Sequence, residues 1–262
     1  MFFSRALWYY FWEQPDRERP MKPIIVTAAT ARELSLLRDS LDGGGRIIAG
    51  HREIHDGILA GRRVCLAATG IGKVNAASTA TAILEHYDPE ILINTGCAGA
   101  YAGSGLAVGD LAVATVEILG DEGVMLADGW RSLELIGIPS LSRNGVDYYN
   151  HFPMTRWAID KACHVAETNG IKLRQGAFVT VSTASGSDER GNDLFDRFGA
   201  ACENMEGAAA AQVAASYGVD FMEIRGISNM VEDRNLSRWD IPRAVEAAQR
   251  FILHFIAALY RV

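Results

Sequence analysis

Short β-rich runs that alternate with helical patterns predict an α/β fold with a mixed, mostly parallel sheet. Three observations carry that reading. The alternation starts after Pro23 and continues to the end of the chain. No linker or internal repeat interrupts it, so residues 21–262 are expected to form one domain. A helix made largely of alanine, at 206–217, has side chains small enough to pack closely against a sheet.

The elements follow in order. Residues 24–27 form a compact β-branched run, suited to a buried strand. Leu34, Leu37 and Leu41 recur at helical spacing, so a helix is expected over 33–41. Two strand-like runs, 53–59 and 62–68, are separated by Ala60-Gly61, a hairpin signal. After Gly70-Ile71-Gly72 the stretch 73–87 is rich in Ala and Leu and reads as a helix. Residues 91–94 read as a buried strand that runs into a loop of small residues at 95–105. A strand at 111–119 is followed by a region without clear period, 121–153, which reads as irregular and as part of a site lid. Helix 155–169 ends at Gly170, and strand 177–183 follows. Helix 206–217 ends at Gly218. Strand 220–225 and a long terminal helix over 241–260 complete the chain.

Composition narrows the function classes. The 262 residues are 49% hydrophobic and 22% charged, ordinary for a globular chain. The formal net charge of -7 disfavours a polynucleotide partner, because phosphates attract basic surfaces. A small-molecule ligand is compatible with it. Cys65, Cys97, Cys163 and Cys202 lack C-x-x-C spacing and read as reduced thiols of a cytoplasmic protein. No uninterrupted apolar stretch has the length of a bilayer span, so no membrane partner is expected. Residues 1–20 hold an aromatic cluster from Trp8 to Trp12 and read as a poorly ordered tail or a mis-called beginning ahead of Met21.

Ligands of α/β sheets collect beyond the carboxyl ends of strands. Four such places are polar. In the first, Glu33 reads either as a base or as a first-turn carboxylate favoured by the helix dipole. In the second, Thr69-Gly70-Ile71-Gly72-Lys73, the glycines would let the backbone approach a ligand. Asn75 occupies the third glycine position of a dinucleotide motif, and no G-K-[ST] ending makes it a P-loop. The third is Glu203-Asn204-Met205-Glu206-Gly207, where a carboxylate could bind vicinal hydroxyls or could simply start a helix. The fourth is Arg225-Gly226-Ile227-Ser228-Asn229, running on to Val231-Glu232-Asp233-Arg234; an arginine that finishes a buried strand needs a partner. The six histidines lack metal-site spacing and no G-x-S-x-G elbow occurs. Neither metal nor cofactor is expected.

Together, Glu33-Leu34-Ser35-Leu36-Leu37, Gly70-Ile71-Gly72-Lys73-Val74, Asn94-Thr95-Gly96-Cys97-Ala98-Gly99, Asn204-Met205-Glu206-Gly207-Ala208-Ala209 and Ile224-Arg225-Gly226-Ile227-Ser228-Asn229 resemble the nucleoside phosphorylase and nucleosidase superfamily. The resemblance spans the chain from Lys22 onward. It implies a three-layer α/β/α domain, a homodimer, and an enzyme that cleaves N-glycosidic bonds. It also implies roles: Glu206 grips the ribose hydroxyls, Met205 packs against the sugar, and Glu33 activates water with Arg225 nearby. Ser185 and Gly186 would belong to the base pocket, with Ser228, Cys97 and Gly72 also on the substrate.

Two departures from the family pattern refine this. Adenine-type nucleosidases carry Ser-Asp where this chain has Ser228-Asn229. An aspartic acid can give a proton to N7 of a 6-aminopurine; asparagine instead offers a donor and an acceptor, which suits a 6-oxopurine. The early Gly-Asp-Pro and the arginine of hexameric phosphorylases are also missing, so water is the expected nucleophile. The blocks 203–210 and 223–233 are similar to the subgroup that hydrolyses futalosine, a menaquinone precursor with a 5′-side benzoate. Arg143, Arg234 or Arg238 would then meet the carboxylate, and Asp233 is weighed as a proton source. The alternatives are a 5′-methylthioadenosine/S-adenosylhomocysteine-type nucleosidase, a 6-oxopurine nucleoside phosphorylase, a non-catalytic nucleoside-binding protein and, more distantly, a dinucleotide-binding oxidoreductase.

Overall fold

In the computed structural model, which describes residues 21–259, the chain opens with strand β1 (Ile24–Ala28), whose five residues are all buried. A single 3-10 turn (Ala31–Leu34) and helix α1 (Ser35–Asp39) replace the continuous helix expected at 33–41. Thr30 explains the tight start: its side chain accepts from the Glu33 amide while the Glu33 carboxylate reaches back to the Thr30 backbone, a reciprocal cap. Strand β2 (Asp42–Ala49) then pairs antiparallel with β3 (Arg52–Leu59), which pairs with β4 (Arg62–Ala68) across the expected Ala60-Gly61 turn. Helix α2 (Lys73–Leu84) follows.

Strand β5 (Ile91–Ala100) does not stop at Asn94. It continues through the small residues expected to form a loop. Strand β6 (Leu111–Leu119) is as expected. Residues 121–153 are not irregular throughout: β7 (Val124–Leu126) pairs with β8 (Gly129–Arg131), β9 (Leu141–Arg143) pairs with β10 (Val146–Tyr148), and β11 (His151–Pro153) joins the edge of the main sheet beside β6. Helix α3 (Arg156–Thr168), strand β12 (Leu173–Thr180), helix α4 (Asp188–Phe198), strand β13 (Cys202–Asn204) and helix α5 (Gly207–Tyr217) come next. Strand β14 (Phe221–Met230) runs five residues past Arg225, and α6 (Ile241–Leu259) closes the described chain.

The sheet is mixed. Its centre is parallel, β4–β1–β5–β14, with antiparallel strands at the β2 edge. At the other end the pairing closes on itself: β5 bonds β14, β14 bonds β6, β6 bonds β12, β12 bonds β13, and β13 returns to β5. This ring of five strands closes one end of the sheet on itself and leaves β2 and β11 as the edges. Helices α2 and α5 pack together on one side, and α6 packs against β14, β5, α1 and α3 on the other. The buried apolar cluster extends from Ile24 to Ile256 and so holds the two ends of the described chain to one core. Among the described residues no helix is long and apolar enough to cross a membrane. The expectation for residues 1–20 lies outside the described residues.

Candidate functional site

A cavity of about 380 Å³ opens where β1, β5, β13 and β14 end or bend. That is enough for a drug-sized ligand. Of the residues singled out in the sequence, Glu33, Cys97, Ser185, Met205, Glu206, Arg225, Ser228 and Asn229 all line it. Gly72 and Gly186 do not. Gly186 is exposed beside Ser185, whereas Gly72 reaches the site through its amide.

Glu33 is buried, so a solvated first-turn carboxylate is not what the fold builds. Its Oε2 accepts from the Thr30 amide and hydroxyl, each at 2.9 Å, and its Oε1 accepts from the Cys97 amide at 3.1 Å. The cap role and a place on the cavity wall coexist. Gly96 makes this possible: a Cβ there would overlap both Oε1 of Glu33 and Nη1 of Arg225.

Glu206 ends the β13 loop just before α5. Asn204 supplies the helix cap instead, accepting from the amides of Glu206 at 2.9 Å and Gly207 at 2.7 Å. The Glu206 carboxylate is thereby free to turn into the cavity. Its Oε1 accepts the Gly72 amide at 2.9 Å and its Oε2 meets Nη2 of Arg225 at 3.4 Å. Gly72 has φ +92°, a conformation that glycine tolerates and that aims the amide at the carboxylate.

Arg225 is 1% exposed and has the partners its burial demands. Nε donates to Glu223 at 2.7 Å and Nη1 to the Cys97 carbonyl at 3.1 Å. Burial pulls the guanidinium pKa down, but the carboxylates of Glu223, Glu206 and Glu33 outweigh it and hold the pKa above its usual value. The Cys97 thiol is pushed up to about 11, first by burial and then by the Glu33 carboxylate. It stands in the site as a neutral group.

Asn229 is held at both ends. Its Oδ1 accepts from the Ser228 hydroxyl at 2.8 Å, and its Nδ2 donates to the Met230 carbonyl at 2.9 Å. One amide hydrogen and one oxygen lone pair remain for a ligand. Opposite the β14 residues, Ser185 donates from its amide and its hydroxyl to Glu203, both at 2.7 Å, and Tyr101 adds a third donor at 3.2 Å.

Thr30, Glu203 and Asn204 line the cavity too, from the first and third polar segments but without a role assigned from the sequence, and Trp239 and Ile241 were not picked out at all. Glu203 had a signal, as the first carboxylate of the block that ends in Glu206. Trp239 had none, because its place depends on how the chain returns after β14. Of the three arginines weighed for a substrate carboxylate, Arg234 lines the cavity and stacks 4.8 Å over the Trp239 ring. Arg238 pairs with Glu232, and Arg143 lies against Gly218. Asp233 is exposed and faces the Asp188 amide, outside the cavity wall, which argues against it as a proton source. Among the described residues no group of three or more His, Cys, Asp or Glu is arranged to hold a metal ion.

Fold and site together define an α/β protein with a carboxylate-lined small-molecule cavity at the carboxyl ends of its strands. The chain belongs to the Phosphorylase superfamily, whose family profile matches residues 23–257. Solved structures agree on the fold. An S-adenosylhomocysteine nucleosidase from Streptococcus pyogenes, in complex with 5-methylthiotubericidin, is 23% identical with a TM-score of 0.80, over 93% of this chain and 99% of that one. A 5′-methylthioadenosine/S-adenosylhomocysteine nucleosidase from Neisseria meningitidis, in complex with methylthio-immucillin-A, is 26% identical with a TM-score of 0.79, over 90% and 99%. A futalosine hydrolase mutant from Helicobacter pylori is 22% identical with a TM-score of 0.78, over 90% and 99%.

Proposed function

We propose that the chain hydrolyses the N-glycosidic bond of a 6-oxopurine nucleoside, with futalosine as the substrate, releasing hypoxanthine and dehypoxanthine futalosine for menaquinone biosynthesis. The observation that carries this reading is the meeting of Glu33, Glu206 and Asn229 on one cavity, with the Asn229 amide where the family resemblance implies an acid in adenine-type nucleosidases.

Each group has a step. The C1′–N9 bond lengthens as the sugar gains positive charge. Glu206 binds O2′ and O3′, and its charge favours the cationic sugar. Met205, half-buried on the cavity wall, packs against the ring. Glu33 accepts the proton of the attacking water, a contribution of roughly 10²–10⁴-fold for a placed base. Arg225 pairs with Glu206 and lies close enough to Glu33 for their charges to interact. Asn229 directs its remaining amide hydrogen at the N7/O6 edge of the base, which departs as an anion and takes its proton from solvent; one such donor is worth about 3 kcal/mol. Ser185, Ser228 and Cys97 complete the walls, the Gly72 amide holds Glu206, and Gly186 stands beside Ser185 off the wall. Of the three arginines weighed for a substrate carboxylate, Arg234, on Trp239, is the one on the cavity wall.

Two further expectations go with this function. A homodimer is supported by exposed apolar residues beside the cavity: Ile71 and Val74 at the start of α2, and Met125 on β7, segments tied together by Lys73 with Asp121 and Glu122. A cytoplasmic setting is supported by four free cysteines.

A 5′-methylthioadenosine-type activity is the second reading, favoured by the likeness to structures of such nucleosidases. One assay separates them. Futalosine, inosine and methylthioadenosine are each offered with and without phosphate, and the released base is measured. Phosphate-independent release of hypoxanthine from futalosine is expected. Release of adenine alone would overturn the 6-oxopurine reading, and strict phosphate dependence would overturn hydrolysis.

A further inference from the structure

Beneath Arg225 lies a second pair of carboxylates that the proposed chemistry does not use. Glu117, on β6, and Glu223, on β14, are both 0% exposed. They sit side by side: a Cβ on Gly207 would overlap Oε1 of Glu117 and Oε2 of Glu223 together. Two bare carboxylates at that separation, without water, would repel strongly.

The hydrogen bonds show how the repulsion is relieved. Glu223 Oε1 accepts from Nε of Arg225 at 2.7 Å, but its Oε2 has no hydrogen-bond partner among the described residues. Glu117 accepts from Nδ2 of Asn204 at 2.6 Å and from the Thr180 hydroxyl at 2.7 Å. A hydrogen on Glu117 Oε1 would serve the orphaned Oε2 of Glu223 beside it. Buried polar atoms are nearly always satisfied, so the orphan points to a proton that heavy-atom positions do not display.

We propose that Glu117 is a neutral carboxylic acid that donates a hydrogen bond to an ionised Glu223, and that this pair is a positioning device for Arg225 in the proposed reaction. The electrostatics run the same way: burial, then the Glu223 charge, hold Glu117 well above the ordinary carboxylate range. Burial also raises Glu223, while Arg225 and the hydrogen bond from Glu117 oppose the rise. The titratable groups packed around the pair are Arg225, Glu206 and Cys202.

The consequence lies one layer up. An ionised Glu223 grips one edge of the guanidinium, leaving Nη1 and Nη2 for the Cys97 carbonyl and Glu206. The planar, rigid fork of arginine makes that edge decisive: fix Nε and the other two nitrogens are aimed. Asn204 links the same pair to the cap of α5 and so to the backbone that carries Glu206. The sugar-binding carboxylate is thus aligned from both sides, through Arg225 and Asn204, by a carboxyl pair that lies off the cavity wall.

This rests on the proposed function for its kinetic arm, and infrared spectroscopy tests it without substrate. The folded wild-type protein is expected to show a protonated-carboxyl C=O band at neutral pH, absent from Glu117→Gln. Glutamine keeps the shape, but an NH2 turned to Glu223 would stand in the place of Oε1 and face Nδ2 of Asn204, so E117Q should lower the melting temperature while kcat falls by less than about tenfold. E223Q, which removes the anion on Nε, should lower kcat about 10²-fold with a smaller change in KM. A band that persists in E117Q, or an E117Q loss of kcat matching that of E223Q, would overturn the proposal. If no nucleoside is cleaved by the wild type, the functional reading fails, and the band with its loss in E117Q still decides the state of the pair.

Discussion

The backbone N–H of Gly72 donates to Oε1 of Glu206 at 2.9 Å, joining segments 134 residues apart. That bond ties the start of α2 to the start of α5 and leaves the carboxylate anchored before any ligand arrives. Glu206→Gln removes the charge with little change of shape, and kcat/KM should fall by about 10²–10³-fold. Steady-state kinetics on the preferred nucleoside check this. Retention of full activity would detach Glu206 from the sugar.

Glu33→Gln should reduce turnover by at least about 10²-fold while a non-hydrolysable nucleoside analogue still binds. The same change disturbs the reciprocal cap with Thr30, so the melting free energy should drop by about 1 kcal/mol. Single-turnover rates, calorimetric binding and thermal unfolding separate these effects. Loss of binding equal to the loss of rate would make Glu33 a ligand-holding group and not a base.

Asn229→Asp should shift preference from hypoxanthine-type to adenine-type nucleosides, because the acid can donate a proton to N7. Ser228 already donates to Oδ1, so an aspartate would keep that bond, while its other oxygen loses the bond that Nδ2 makes to the Met230 carbonyl and is repelled from it toward the base. Ratios of kcat/KM for inosine-type and adenosine-type substrates measure the shift. An unchanged ratio would sink the account of base selection.

Gly207→Ala should be among the most damaging small substitutions in the protein. Its Cβ would be driven into Glu117 and Glu223, two residues with no room to retreat. A cost of about 1–3 kcal/mol is expected from the overpacking, with activity lost alongside. Chemical denaturation of G207A against Ala208→Gly, one position along the same helix, provides the comparison.

The Cys97 thiol should resist alkylation at pH 8. Burial and the Glu33 carboxylate move its pKa from 9.0 to about 11, so the reactive thiolate fraction falls about 100-fold. Its labelling rate should rise with pH through that window. Mass spectrometry of iodoacetamide-treated protein checks it against the same peptide in the unfolded chain. Fast labelling of Cys97 in the folded protein at pH 8 would contradict the assigned environment.

Most strands and helices were legible because a long apolar period leaves little choice of face. The departures share a cause: tertiary contacts that composition does not display. Residues 95–100 look like a loop, yet they extend β5 because β14 and β13 supply partners on both sides. Strand β2 holds three consecutive glycines and gives no propensity signal; its pairing with β3 shifts register between Asp42 and Gly45. Helix α4 contains Gly191, which weakens its pattern, but a Cβ there would overlap Val231. In the site, Glu33, Glu206 and Asn229 were legible through motif blocks. Glu117 and Glu223 were not, since each reads as one carboxylate in an apolar strand, and their meaning arises only when β6 and β14 come together.

The closed circuit of five strands has a consequence for biosynthesis. Its last member, β14, pairs with β5 and β6, which the ribosome delivers more than a hundred residues sooner. Until residue 230 has emerged, those two strands lack a neighbour, and such long-range pairing is slow to form. The nascent chain therefore spends much of its synthesis with a sticky seam open, the interval in which a holding chaperone would matter most.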